Sequence, residues 1–225
     1  MLPTYAIVPT HNRHAHLVSL VNSLKGDLRR IVVVDNASDP PVSREELEKL
    51  VEGSETGITV LFDPEQPPNL YRLWNIAFEV VDLFAAMDGA SEWNTAVFND
   101  DTVLPDGWVR AVGEALRASS AAVACGSENH SQTSPFLKTE LRRFPRMTPH
   151  AFMVKGELGL RADEQFRWWW GDSDFDFQST LSGGVLLIPG YVAANSCANS
   201  TTVGELAEQA GRDGQAFVAK WGGTF

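Results

Sequence analysis

Three consecutive oxygen-bearing side chains, Asn99, Asp100 and Asp101, offer the first chemistry in this sequence. They follow an apolar run at 95–98 and precede Pro105, a residue that favours the start of a helix. Adjacent carboxylates repel each other when buried, and a divalent cation readily compensates them. Mg²⁺ and Mn²⁺ bind one or two carboxylates together with substrate phosphate oxygens. The turn is therefore either a Mn²⁺ or Mg²⁺ site or a solvated acidic loop.

Two further polar clusters each follow a β-branched run of the chain. Pro-Thr-His-Asn-Arg occupies 9–13 after the run 5–8, and Asp-Asn-Ala-Ser occupies 35–38 after the run 31–34. Turn formation alone explains each cluster taken singly. Taken together, they place hydrogen-bonding groups at one sheet edge, where the Asp35 carboxylate can accept hydrogen bonds from a base or ribose.

These clusters need a sheet to position them, and the pattern of the chain predicts one. Short apolar runs alternate with helical periodicity, and Ser43 begins one helix with a capping-box pattern. The predicted strands are 5–8, 31–34, 58–62, 95–98, 121–125, 151–154 and 185–188. The predicted helices are 14–25, 43–52, 69–87, 105–119, about 172–182 and 203–221, and 126–149 is expected to be a long irregular excursion. The alternation predicts an α/β fold, a mostly parallel sheet flanked by helices.

Composition sets the broad class of the protein. The chain has 225 residues, 44% of them hydrophobic, with a net charge of −11 and no repeat or linker, which predicts one domain over 1–225. The acidic balance argues against nucleic acid as a partner and against a polybasic membrane anchor. No signal-peptide pattern and no membrane-spanning run of about 20 apolar residues is visible. We expect a cytoplasmic protein, with Cys125 and Cys197 as thiols rather than a disulfide.

Five segments, taken in order, resemble the family 2 glycosyltransferases, which have the nucleotide-sugar-binding GT-A fold. They are 6–13, 31–38, 99–108, 160–166 and 171–175. The resemblance implies a single GT-A domain, with a nucleotide-sugar-binding half at about 1–104 and an acceptor-binding half at about 105–225. It also implies an inverting transfer of a sugar from a nucleoside-diphosphate sugar to an acceptor hydroxyl, with Mn²⁺ or Mg²⁺ as cofactor.

The resemblance also assigns roles to individual residues. It makes Asp172 the general base, and it makes Asp101 the first metal ligand and Asp100 the second. Asn195 stands about where the family often has a metal-binding His, and Gly171 stands where it has Glu. The implied donor-binding residues are Pro9, Thr10, Asn12, Arg13, Asp35, Asn36, Ser38, Asn69, Asn75, Asn99 and Asp100.

The acceptor side is less defined by the sequence. Aromatic faces suit sugar rings, so Trp169 and Trp170 are candidate acceptor contacts, although tryptophans usually pack in a core. His150 and Asp174 are further candidates. The basic segment 138–146 is either a solvated loop or a lid that contacts a phosphate or a charged acceptor. The acceptor itself could be a glycan, a small molecule or a protein.

Two other functions fit part of the pattern. Asn99 and Gly171 are compatible with a catalytically inactive module that binds a nucleotide sugar or a glycan. A nucleotidyltransferase also pairs an α/β sheet with acidic metal ligands. It usually has a Gly-rich phosphate loop after its first strand, and residues 9–16 contain no Gly.

Overall fold

A computed structural model describes residues 2–197 and 204–223 of the chain. Its strands are β1 (Thr4–Thr10), β2 (Arg30–Asp35), β3 (Gly57–Phe62), β4 (Asn94–Phe98), β5 (Thr102–Val103), β6 (Val123–Gly126), β7 (Phe136–Lys138), β8 (Ala151–Lys155), β9 (Val185–Ile188) and β10 (Ala194–Asn195). Its α-helices are α1 (His14–Leu24), α2 (Arg44–Leu50), α3 (Leu70–Met87), α4 (Trp108–Arg117), α5 (Gly171–Leu181) and α6 (Glu205–Trp221), and a 3₁₀ turn covers Gly156–Leu158.

Eight of these strands form one mixed sheet in the order β3-β2-β1-β4-β8-β6-β9-β7. The first four strands are parallel to one another, and β8 runs antiparallel to both of its neighbours, β4 and β6. β9 is parallel to β6, and β7 closes the sheet antiparallel to β9. The predicted α/β fold is confirmed. The larger parallel part of the sheet, β3-β2-β1-β4, is formed by the first half of the chain.

Alternating side chains along the strands divide the core into two layers. Ala6 and Val8 of β1 pack on one face with α1, α2 and α4, whereas Tyr5 and Ile7 pack on the other face with α3, α5 and α6. Helices on both faces bury the central strands, and for this reason the strands are continuous apolar runs.

Most predicted elements are present with small shifts at their ends. Ser43 caps α2, its side chain accepting a hydrogen bond from the Glu46 amide. The helix predicted from 105 begins at Trp108, and the last predicted helix, 203–221, begins at Glu205, with residue 203 outside the described residues. The excursion 126–149 contains β7, and β5 pairs with β10 as a separate two-stranded ribbon. None of these three short strands was predicted.

The sheet brings the important loops to one edge. β1, β2, β3, β4, β6 and β9 all end there, because the two antiparallel steps through β8 restore the strand direction. Residues 182–184 join the end of α5 to the start of β9 at the opposite edge. The first turn of α5 therefore lies at the same edge as the turn after β4.

Among the described helices, none combines the length and the apolar character needed to cross a membrane.

Candidate active site

The turn after β4 holds two buried carboxylates, Asp100 and Asp101. Thr10 Oγ1 donates to Asp100 Oδ2 at 2.8 Å from the end of β1. Arg13 Nη1 lies 3.3 Å from Asp100 Oδ1 and 3.0 Å from Asp101 Oδ2. The cluster after β1 and the acidic turn thus form one site, as neighbouring parallel strands require.

Burial and charge oppose each other in this turn. Desolvation raises the pKa of Asp100, although the Thr10 hydrogen bond and the Arg13 charge lower it. Desolvation likewise works against the charged form of Arg13, but Asp100 and Asp101 outweigh it and raise the arginine pKa. The two carboxylates and one guanidinium leave this buried cluster with a formal charge of −1.

One carboxylate oxygen of the turn is unused. Asp101 Oδ1 is buried and receives no hydrogen bond from any residue that the structure describes. Within 2–197 and 204–223, no group of three or more His, Cys, Asp or Glu side chains is arranged to hold a metal. Two carboxylates with one unpartnered oxygen fit Mg²⁺ or Mn²⁺, since these ions complete their shell with water and substrate phosphates.

His150 and Asn195 both lie beside the acidic turn. The His150 carbonyl accepts hydrogen bonds from the Asn99 amide at 3.1 Å and from Thr102 Oγ1 at 2.8 Å. Asn195 is exposed on β10, opposite Thr102 of β5, and the next amide, that of Ser196, donates to the Asp101 carbonyl at 2.8 Å. The short ribbon therefore explains how residues distant in sequence reach the turn.

The cluster after β2 is held mainly by its own loop. Both Asp35 oxygens accept backbone hydrogen bonds, from Ser38 N at 3.0 Å and Val42 N at 2.8 Å. The Asn12 amide donates to Ser38 Oγ at 2.9 Å, and Asn12 Oδ1 accepts from the Asp39 amide. The loops after β1 and β2 are thus locked together, with Pro9 still inside β1.

Asp63 and Arg72 join this edge and were missed in the sequence. Arg72 Nη1 donates to Asp63 Oδ2 at 2.7 Å, and Asn36 Nδ2 donates to the Asp63 carbonyl at 3.1 Å. Asp63 directly follows β3, and Asp35 is the last residue of β2. The same rule about strand ends would have selected it.

Asn69 and Asn75 serve the fold in this structure. Asn69 caps α3, accepting from the amides of Tyr71 and Arg72, and also donates to the Glu164 carbonyl. Asn75 exchanges hydrogen bonds of 2.9 Å with the Ala162 backbone. Both side chains tie α3 to the segment before α5, and their predicted donor contacts remain predictions.

Asp172 lies in the first turn of α5, and its side chain is 18% exposed. Its amide donates to the Tyr71 hydroxyl at 3.1 Å, and Arg146 Nη1 lies 3.9 Å from its Oδ2. Desolvation raises the pKa of the Asp172 carboxyl, and the Arg146 charge lowers it in part. A carboxylate with a raised pKa that still reaches solvent is suited to accept a proton.

Comparison with known proteins assigns the chain to a family. The model of glycosyl transferase family 2 matches residues 5–180. The chain belongs to glycosyl transferase family 2. By sequence, no curated protein matches it.

Solved structures of glycosyltransferases share the fold of this family member. Residues 1–349 of S. aureus TarS give a TM-score of 0.62 at 13% identity, covering 84% of this chain and 59% of that one. The UDP complex of the same TarS fragment gives 0.63 at 13%, with coverages of 94% and 65%. A Pyrobaculum calidifontis mannosyltransferase in complex with GDP-Man and Mn²⁺ gives 0.63 at 14%, with coverages of 89% and 59%. The chain thus spans less than two thirds of these proteins, and the likeness establishes the GT-A fold.

Gly171, where the family pattern has Glu, is explained by a neighbouring ring. A Cβ at Gly171 would lie 2.3 Å from Cε2 and Cζ of Tyr71. The Tyr71 ring is buried against Trp74, and its hydroxyl contacts the Asp172 amide and the Trp168 carbonyl. In this family member, tyrosine therefore fills the space beside the candidate base.

The tryptophan loop, residues 168–170, is fixed by α6. Asp213 Oδ2 accepts hydrogen bonds of 3.1 Å from three consecutive amides, those of Arg167, Trp168 and Trp169. Trp170 adopts a left-handed φ of 67° and packs against Phe217, with ring centroids 5.1 Å apart. Sequence reasoning missed Asp213, since no local pattern links residue 213 to this loop.

Asp174 is fully buried two residues beyond the candidate base. Lys220 Nζ and Trp221 Nε1 both lie 2.7 Å from its Oδ1, and Gln178 donates to its Oδ2. These contacts favour a role in anchoring the end of α6, and the predicted acceptor contact of Asp174 is untested.

The basic segment 138–146 is divided between core and cleft. Lys138 is fully buried and forms an ion pair with Asp176, so neither a solvated loop nor a lid describes it. Arg142 and Arg146 line an open cleft of about 810 Å³, together with the half-buried Phe136 and the exposed Phe144. Arg146 thus lines the cleft, and its Nη1 also lies 3.9 Å from Oδ2 of the candidate base Asp172.

Proposed function

We propose that the chain is an inverting glycosyltransferase that moves a sugar from a nucleoside-diphosphate sugar to an acceptor hydroxyl, with Asp172 as general base. The observation that carries the proposal is the placement of two carboxylate sites at one sheet edge. The acidic turn after β4 and the first turn of α5 both lie there, where α/β folds bind their ligands.

The two sites have complementary chemistry. Asp172 accepts the proton of the acceptor hydroxyl while the oxygen of that hydroxyl bonds to the anomeric carbon of the donor sugar. The bond between the anomeric carbon and the diphosphate breaks, and its electron pair leaves with the diphosphate oxygen. One base suffices because a direct displacement inverts that carbon. Asp101, with Asp100, would hold Mn²⁺ or Mg²⁺, which supplies Lewis-acid stabilisation of the leaving diphosphate.

We place the nucleotide-sugar donor beside the loops that follow β1, β2 and β3. The mannosyltransferase with the same fold binds GDP-Man and Mn²⁺, and TarS binds UDP. These complexes support a nucleotide sugar and a divalent metal as ligands of this chain.

We place the acceptor in the cleft beside Arg146. The cleft combines apolar ring surface from Phe136 and Phe144 with polar groups from Asn129 and Gln132. Such a lining suits a sugar or another polyhydroxylated acceptor, which presents both C–H faces and hydroxyls.

Substitution of Asp172 tests the assigned base. The wild type is first assayed with UDP-, GDP- and dTDP-sugars to find the active donor. With that donor, release of nucleoside diphosphate by Asp172→Asn should fall by about 10²- to 10⁴-fold, the usual contribution of a general base. The assay contains Mn²⁺ and candidate acceptors. Binding of the nucleotide, measured by thermal shift, should be unchanged because Asp172 belongs to the acceptor side.

Asp106→Asn is the matched control, since Asp106 is an exposed carboxylate just before α4. It should retain wild-type turnover. Normal turnover by Asp172→Asn would show that another group takes the proton.

A further inference from the structure

A single guanidinium nitrogen joins both carboxylates of the acidic turn. Arg13 Nη1 is 3.0 Å from Asp101 Oδ2 and 3.3 Å from Asp100 Oδ1, and both aspartates are nearly inaccessible to solvent. A cation already resides where the proposed function places a metal ion.

Arg13 and a metal ion would use different oxygens of Asp101. Arg13 uses Oδ2 of Asp101, whereas Oδ1 of the same carboxylate is buried and receives no hydrogen bond from the described residues. The oxygen that would receive a divalent ion is therefore not the oxygen that Arg13 contacts. The Arg13 side chain is 31% exposed, whereas those of Asp100 and Asp101 are 7% and 6% exposed.

The Arg13 charge then weakens the binding of a metal ion without nucleotide. Two aspartates and Arg13 sum to −1, and a divalent ion changes this to +1 in a largely desolvated site. Like charges a few ångströms apart repel strongly where water is scarce. A diphosphate brings several negative charges and removes the excess, and arginine binds phosphate oxygens well.

We propose that Arg13 is a resident counter-ion that keeps the metal site weak until a nucleoside diphosphate arrives. Arg13 stabilises the paired carboxylates when the site is empty, and the same charge disfavours a divalent ion bound without nucleotide. Metal and nucleotide therefore bind cooperatively. This inference rests on the metal site of the proposed function and adds the order in which its ligands assemble.

The test is a direct Mn²⁺ titration, read from the electron paramagnetic resonance signal of free Mn²⁺, with no sugar donor present. A neighbouring arginine typically lowers a carboxyl pKa by about 1–3 units, which means that its charge weakens proton binding to the carboxylate. The same charge opposes Mn²⁺, so Arg13→Gln should tighten nucleotide-free Mn²⁺ binding at least about tenfold. Arg13→Lys keeps the positive charge beside the carboxylates, so its Mn²⁺ affinity should stay within about threefold of that of the wild type.

Arg110→Gln is the matched control, because it removes one exposed arginine of α4 and should leave the Mn²⁺ affinity unchanged. Melting curves confirm that each variant is folded. Equal or weaker Mn²⁺ binding by Arg13→Gln, with Mn²⁺ bound by both proteins, would overturn the counter-ion role alone. If the wild type and Arg13→Gln both fail to bind Mn²⁺, even with UDP or GDP added, the metal site fails and the counter-ion role with it.

Discussion

At the scale of single residues, Asp172, the proposed base, has surroundings that suit proton transfer. Burial raises its pKa, and the guanidinium of Arg146, 3.9 Å away, limits that rise. Tyr71 holds the backbone of the same turn. The family pattern indicated Asp172 in the sequence, but it could not indicate Tyr71, whose ring occupies the place left by Gly171.

The Arg146 charge gives a prediction about pH. The proposed base acts only when ionised, so turnover should rise with pH through the pKa of Asp172. Arg146→Gln removes the charge that lowers this pKa, and the acid limb of the kcat profile should move to higher pH. Arg44→Gln, a change on the exposed face of α2, should leave the limb in place. An unmoved or lowered limb in Arg146→Gln would contradict the assigned contact.

At the scale of elements, α6 holds the loop that precedes the proposed base. One carboxylate oxygen of Asp213 accepts three amide hydrogen bonds from 167–169, while Gln209 donates to the other oxygen at 2.7 Å. Helix α6 itself could be predicted from its periodicity. Its contact with the tryptophan loop could not, because it joins segments more than 40 residues apart.

Loss of the Asp213 carboxylate should loosen this loop. A hydrogen bond to a charged group contributes about 1.5–3 kcal/mol, so Asp213→Ala should lower the free energy of unfolding by at least about that amount. It should also shift tryptophan emission to longer wavelength and lower kcat with little change in donor KM. Gln209→Ala, which spares the three amide contacts, should be milder. Unchanged emission and kcat in Asp213→Ala would contradict a positioning role.

The elements that escaped prediction are the shortest ones. β5 and β10 have two residues each and β7 has three, too few to show a period of two. The longer strands and helices were predictable because each presents a continuous apolar run or stripe. The loops after β1, β2 and β4 were predictable as a site because parallel strands end at one edge.

At the scale of the whole molecule, an acidic chain buries a lysine. Lys138 of β7 pairs with Asp176 of α5 inside the core, and burial raises the pKa of Asp176 while Lys138 lowers it. In the sequence, Lys138 belongs to the basic segment 138–146, which was expected to be either a solvated loop or a lid. Only tertiary packing separates it from Arg142 and Arg146.

Breaking this pair should destabilise the fold. Lys138→Met leaves Asp176 buried without its partner, a change that typically costs about 3–5 kcal/mol. Urea unfolding measures the loss, and the double variant Lys138→Met with Asp176→Leu should recover much of it, because it removes both charges. A single variant as stable as the wild type would contradict the buried pair.

The central claim is a metal-assisted nucleotide-sugar site built on Asp101, and a thermal-shift measurement tests it most directly. The wild type and Asp101→Asn are melted with UDP-, GDP- and dTDP-sugars, each with Mn²⁺ and with EDTA. Ligand at 100 times its Kd adds about 2.7 kcal/mol of stability, which raises Tm by several degrees. We predict such a rise for one donor in the wild type with Mn²⁺, and its loss in EDTA and in Asp101→Asn. No rise with any donor, or an equal rise in the variant, would contradict the claim.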